Sequence, residues 1–210
     1  MSATTPIQFS TPRRLRLRRL TVADLAAIGW IDAHPGVCRF EPLAARERLV
    51  QLIASYPSAQ FAVEVDHRLV GALMGFPSES GPPMCSQPWE ALTAPFGAAE
   101  LDVDGTVLIG EGAVWRDVLE DDQIDHLLCV GRKAVVQQLG LDETVSVVCA
   151  SSWAAWRDRL APQAFVQQVH AGGISDRAIA AYVRAGWAIR GFWEDAETLK
   201  VLVRWENRRR

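Results

Sequence analysis

His170 stands in the run Val169-His170-Ala171-Gly172-Gly173. A titrating imidazole beside glycine-rich backbone could combine a general base with N–H donors for an oxyanion. A solvated turn histidine would look the same. Ser151 and Ser152 follow an apolar run and carry hydroxyls able to hold an amide of an extended ligand; capping of the tryptophan-containing segment after them accounts equally well for Ser152. Around residues 114–128 a strand-like run gives way to an amphipathic helix, the kind of junction at which a glycine loop and a helix N-terminus grip a pyrophosphate. This junction has no glycine. Glu120, Asp121, Asp122 and Asp125 crowd it instead, so the chain's own carboxylates take the positive end of the helix dipole and an incoming diphosphate meets like charge. Of the other histidines, His67 falls in a turn, and His126 on the polar side of a helix whose apolar stripe holds Ile124, Leu127 and Leu128. Cys38, Cys85, Cys129 and Cys149 are widely spaced with no C-x-x-C pair, so no metal site is expected, and Cys129 and Cys149 sit in apolar runs as small core residues.

The elements that must position these groups can be read from periodicity. Arg13 to Leu20 alternates arginine and leucine as a half-exposed strand with a solvated basic face. Thr21 and Asp24 form a capping pair for a helix reaching about Ala33, stopped by His34-Pro35-Gly36, and a second helix runs from Pro42 to Pro57. Gln60–Val65 and Arg68–Met74 flank the turn Asp66-His67 as a hairpin. Residues 77–97 hold five prolines and read as a long surface loop, either a lid or an insertion. A strand over Thr106–Val114 precedes the central helix; Val145–Ala150 is a buried strand; a tryptophan-rich helix spans Ser152–Arg159. An irregular segment then leads to a helix near Asp176–Arg184, ended by Gly186, and to strands at Ala188–Trp193 and Thr198–Trp205.

At 210 residues and 49% hydrophobic, the chain suits a single domain with a substantial core, residues 1–13 being a flexible tail and 206–210 a basic one. A net charge of −3 gives no global basic field, which argues against nucleic-acid binding. No window approaches the roughly 18 continuous apolar residues of a membrane span, and the N-terminus lacks the apolar stretch of a signal peptide. A cytoplasmic location is the expectation.

The order β-α-α-β-β-β-α-β-α-α-β-β, with a strand entering the central helix at Asp122, resembles the GNAT acyltransferase superfamily from about Arg14 to Trp205. The likeness narrows at Tyr56-Pro57 through Val70-Gly71, and at Gly173-Ile174-Ser175-Asp176 followed by a helix and Ala185-Gly186. These words resemble the GNAT-like domains of polyketide synthase loading modules. The resemblance implies an α+β fold with a mixed, mainly antiparallel central sheet flanked by helices. It also implies malonyl-thioester decarboxylation and acyl loading, on a phosphopantetheine arm of an acyl carrier protein or polyketide synthase module and with no tightly bound cofactor. Residue by residue, Trp30 falls near the family's acyl-pocket tryptophan, and the family's catalytic histidine falls at Tyr182. A phenol there would be a hydrogen-bond donor and a poor base. The hydroxyl-bearing position of the fifth strand falls at Val148 or Cys149, and the arginine that would receive a malonyl carboxylate falls near Glu197, the opposite charge. The expected site is therefore His170 and Tyr182 for chemistry, with Trp30, Cys149, Ser151 and Ser152 around the substrate. Two other readings stay open: a GNAT-fold docking or structural protein of an assembly line, and an N-acetyltransferase using acetyl-CoA, which the missing glycine loop disfavours.

Overall fold

The computed structural model describes residues 15–27, 50–79, 104–115, 121–195 and 198–208. Trp30, Glu120 and Glu197, the tail 1–13, the end of the first helix, the start of the second and the proline-rich segment from residue 80 lie outside the described residues.

The described chain builds a seven-stranded sheet in the order β1-β2-β3-β4-β5-β7-β6. The strands are β1 (Leu15–Arg19), β2 (Phe61–Val65), β3 (Arg68–Ser78), β4 (Val107–Trp115), β5 (Glu143–Cys149), β6 (Ala188–Asp195) and β7 (Thr198–Glu206). Every pairing is antiparallel except β4 with β5. The turn joining β2 to β3 has Asp66 at φ 50° and His67 at φ 65°, the paired positive values that match the twist of a two-residue hairpin, so His67 serves the turn.

Alternation along the strands sorts side chains onto two faces. Phe61, Val63, Val65, Leu73, Leu108, Val148, Leu199, Val201 and Val203 build the larger core with the long helices. Those helices are α3 (Asp121–Leu139), α4 (Pro162–His170) and α5 (Arg177–Arg184). On the other face, Ala62, Ala72 and Met74 meet Leu20, Leu25, Leu52 and Ile53, the last three from α1 (Asp24–Ala27) and from the helical residues 50–55, α2. The start of α1 is a capping pair: Asp24 Oδ2 accepts from Thr21 N at 2.9 Å and from Thr21 Oγ1 at 2.7 Å.

The element order expected from periodicity is found, with three local corrections. Pro77 and Ser78 belong to β3, paired with Leu108 and Val107, so the strand runs further into the proline-rich stretch than composition suggests. The Ser152–Arg159 helix is a single 3-10 turn, Trp153–Ala155, followed by turns. The segment read as irregular contains α4. Pro162 starts that helix without losing an amide bond, and Phe165, Val166 and Val169 bury one stripe of it. His170 is accordingly the last residue of a helix and not a member of the glycine turn that follows.

Candidate functional site

β4 and β5 run side by side only from Val107↔Glu143 to Gly110↔Ser146. Beyond that point β4 continues to Trp115 against β3 alone, while Val147, Val148 and Cys149 pair with β7 alone. The two parallel strands therefore part, and a wedge opens at the sheet centre with Gly110 and Ser146 at its vertex. The facing edges of β4 and β5 in the wedge have no strand partner among the described residues, so they present backbone donors and acceptors to whatever lies between them.

The vertex is polar and fully enclosed. Arg132, at 4% exposure, reaches it from the middle of α3, and its Nη1 donates to Ser146 Oγ and, at 2.9 Å, to Tyr182 Oη on α5. Ser146 Oγ donates in turn to the Gly110 carbonyl at 3.2 Å. Glycine is needed at 110 for a steric reason: a Cβ there would stand 2.6 Å from Arg132 Nε. Tyr182 is 2% exposed, and burial pushes its phenol well above the ordinary tyrosine value despite the neighbouring Arg132 cation. It is a neutral donor and acceptor at any physiological pH. Its ring meets Trp187 edge to face, with centroids 5.0 Å apart. Burial likewise pushes the Cys129 thiol up to about 12, so it stays protonated and unreactive.

Two turns toward the N-terminus of α3, Asp125 (1% exposed) pairs with Arg177 Nε at 3.0 Å. Further along, Lys133 Nζ donates to the Ala185 carbonyl. The Asp125, Arg132 and Lys133 contacts lace α3 to α5 along the seam that covers β5.

Of the two roles expected for the serines, the side-chain cap at Ser152 is corrected. Ser152 occupies the cap position of the 3-10 turn but makes no side-chain cap bond there. Both hydroxyls turn to Asp176: Ser151 Oγ donates to Oδ1 at 3.2 Å, and Ser152 donates to Oδ2 through N and Oγ, each at 2.8 Å. Asp176 also accepts from Ile179 N at 3.0 Å, capping α5. The buried carboxylate thus ties the end of β5 to the start of α5.

Of the sequence candidates, Tyr182 lies at the wedge vertex. Cys149 is buried on β5 but, by alternation, faces away from Ser146. His170 is exposed at the end of α4, which packs on β6 and α5. His126 is exposed on α3. Sequence reasoning missed Arg132, Ser146 and Gly110, although a signal for the first was present. Leu128, Cys129, Arg132, Val135 and Val136 recur at helical spacing, so a cation interrupts a buried stripe. Among the described residues no group of three potential metal ligands occurs, and no helix is long and apolar enough to cross a membrane.

A seven-stranded, mainly antiparallel sheet with parallel central strands that part, covered by helices on both faces, is the GNAT superfamily fold. The chain is similar to the solved GphF GNAT-like decarboxylase in complex with isobutyryl-CoA, with a TM-score of 0.70 and 19% identity over 91% of this chain and 98% of that one. It is similar also to the loading GNATL domain of CurA from Lyngbya majuscula, with a TM-score of 0.66 and 16% identity over 92% and 98%. An aminoglycoside acetyltransferase, AAC(6')-Ib in complex with ribostamycin and coenzyme A, matches with a TM-score of 0.52 and 13% identity over 91% and 93%. No protein-family profile and no curated protein sequence matches this chain.

Proposed function

We propose that the chain binds an acyl thioester in the wedge between β4 and β5 and promotes acyl transfer or decarboxylation of an acyl group carried on the phosphopantetheine arm of an acyl carrier protein. The observation that carries this reading is the end of β4–β5 pairing at Gly110↔Ser146, which leaves two strand edges for an extended arm whose amides can pair with backbone groups. A neutral Tyr182 suits hydrogen bonding to an oxygen on which negative charge develops, and Arg132 holds that phenol in place. The chemistry is then stabilisation of an oxyanion or enolate. Trp30 would wall the acyl group, as the resemblance implies. A decarboxylase bound to an acyl-CoA ester and a loading domain stand among the similar structures, in support of the thioester class.

The carboxylates Glu120, Asp121 and Asp122 favour the carrier-borne arm over coenzyme A. Each close like-charge contact with a diphosphate costs on the order of 1 kcal/mol. A binding-only role in an assembly line is the second reading, and one observation favours it: the hydroxyls of Ser151 and Ser152 are committed to Asp176, and Tyr182 is committed to Arg132.

Intact-protein mass spectrometry decides between them. Malonyl- and acetyl-loaded carrier proteins should lose carbon dioxide or the acyl group when mixed with the full chain, faster than the matching coenzyme A esters do, and Tyr182→Phe should slow this by about 100-fold. Tight carrier binding without any mass change would establish the docking role. Faster turnover of the coenzyme A esters, with low-micromolar affinity, would return the chain to ordinary acetyl-CoA chemistry.

A further inference from the structure

Among the described residues the sheet ends in an open strand on each side, β1 on one and β6 on the other. The two edges are not alike. β1 carries Arg16, Arg18 and Arg19, so a second copy laid along it would meet like charge, the usual guard of an open edge. β6 centres on Gly191-Phe192-Trp193 and holds neither lysine nor proline. Phe192, 38% exposed, is the one phenylalanine, tyrosine or tryptophan side chain exposed among the described residues. Its backbone is also set to pair. Ala150 N donates to the Leu199 carbonyl at 2.8 Å, so Leu199 turns its polar groups toward the β5 side, and by alternation Val201 does the same. Phe192 stands opposite Val201, so its own N–H and carbonyl point away from β7 and out of the sheet.

We propose that β6 is the contact between two copies of this chain, which join antiparallel about a two-fold axis at Phe192 and continue one sheet through both. In that register the two Phe192 residues exchange both backbone hydrogen bonds and bring their rings together on the face of Val201. Each Trp193 stands over the Gly191 of the other copy on the opposite face, that of Lys200 and Leu202, and fills what the glycine leaves open. The order of charge along the strand favours the antiparallel sense, since Arg190 precedes Phe192 and Glu194 follows it. The basic end of one copy then runs beside the acidic end of the other. Arg190, at the bulge, contacts Glu206, whereas Glu194 accepts from Trp153 on the other face, so these charges steer the two ends and form no ion pair across the join. Five strand spacings, about 24 Å, separate β5 of one copy from β5 of the other, so the two wedges share no residue and the contact goes beyond the thioester reading.

Analytical ultracentrifugation of the full chain over a dilution series tests the contact. The wild type should sediment as a dimer at tens of micromolar and dissociate on dilution. Phe192→Lys should sediment as a monomer, with far-ultraviolet circular dichroism confirming that it is folded. Val22 is an apolar side chain more exposed than Phe192 and lies at the β1 end of the sheet, so Val22→Lys should remain dimeric. The axis itself is read by Phe192→Cys. Across a hydrogen-bonded antiparallel pair the two Cα atoms stand about 5.5 Å apart, within disulfide reach, and mild oxidation should link the copies through position 192, as peptide mass spectrometry would identify. Ala188→Cys should give no link through position 188, because its two copies lie about 25 Å apart. A monomer at every concentration, a dimer that survives Phe192→Lys, loss of the dimer in Val22→Lys, a link through position 188, or a dimer without the link at position 192 would each overturn the proposal.

Discussion

Replacing Gly110 with alanine would place a methyl group 2.6 Å from Arg132 Nε, with the guanidinium already fixed by Ser146 and Tyr182. Nothing at the vertex can yield cheaply. We expect Gly110→Ala to destabilise the fold by about 1–3 kcal/mol, as overpacking of a filled interior does, and to shift the urea midpoint accordingly. An unchanged midpoint would mean that the vertex is loose. Tyr182→Phe removes one oxygen and leaves a buried guanidinium donor facing a ring, at a cost of about 1–3 kcal/mol. In the double variant with Arg132→Met that donor is gone, so its cost should fall below the sum of the two single changes; additivity in this cycle would refute the coupling. That Tyr182 stands on a helix was legible because the helix is closely bracketed, by Asp176 at its start and Gly186 at its end, while its candidacy came from the family resemblance. Arg132 and Ser146 were not, because what unites them is the register of two strands with a helix crossing over them, and no short window of sequence contains that.

Asp176 concentrates at one point what holds two elements together. It accepts from Ser151, from Ser152 twice and from Ile179 N, and it is fully buried. Asp176→Ala should therefore cost more than an ordinary cap, about 3 kcal/mol in denaturant unfolding, because buried donors lose their acceptor along with the helix start. A loss under about 1 kcal/mol would reduce it to a simple cap. At the junction of β1 and α1, the hydrogen bonds from Arg18 hold the Asp24 carboxyl down, from 3.8 to about 2. A folded-state value below the unfolded one stabilises fully above the unfolded value and is lost as pH falls through the folded one. The wild type should thus lose stability between about pH 4 and pH 2, by on the order of 1 kcal/mol after solvent screening, and Asp24→Asn should show a flatter profile there. Identical profiles would show that the pair contributes nothing. Hairpin, capping pair and helix ends were legible because local chemistry dictates them. α4 was not: its apolar stripe is only three residues deep, and its start is a proline, which reads equally as a break.

For the molecule as a whole, most of the strand content was legible but the strand order was not, since pairing partners far apart in sequence leave no local mark. That order has a consequence for how the protein comes to exist. β7 lies between β5 and β6, so β6 precedes in the chain the strand that is its partner, and Glu143 of β5 must wait for Glu206. Until the β6–β7 hairpin docks, the edge of β5 that will take β7 stays open and can pair with the wrong neighbour, in the same chain or another. Completion of this sheet, through the pairing of β5 with β7, joins segments far apart in the chain, the kind of contact that slows folding.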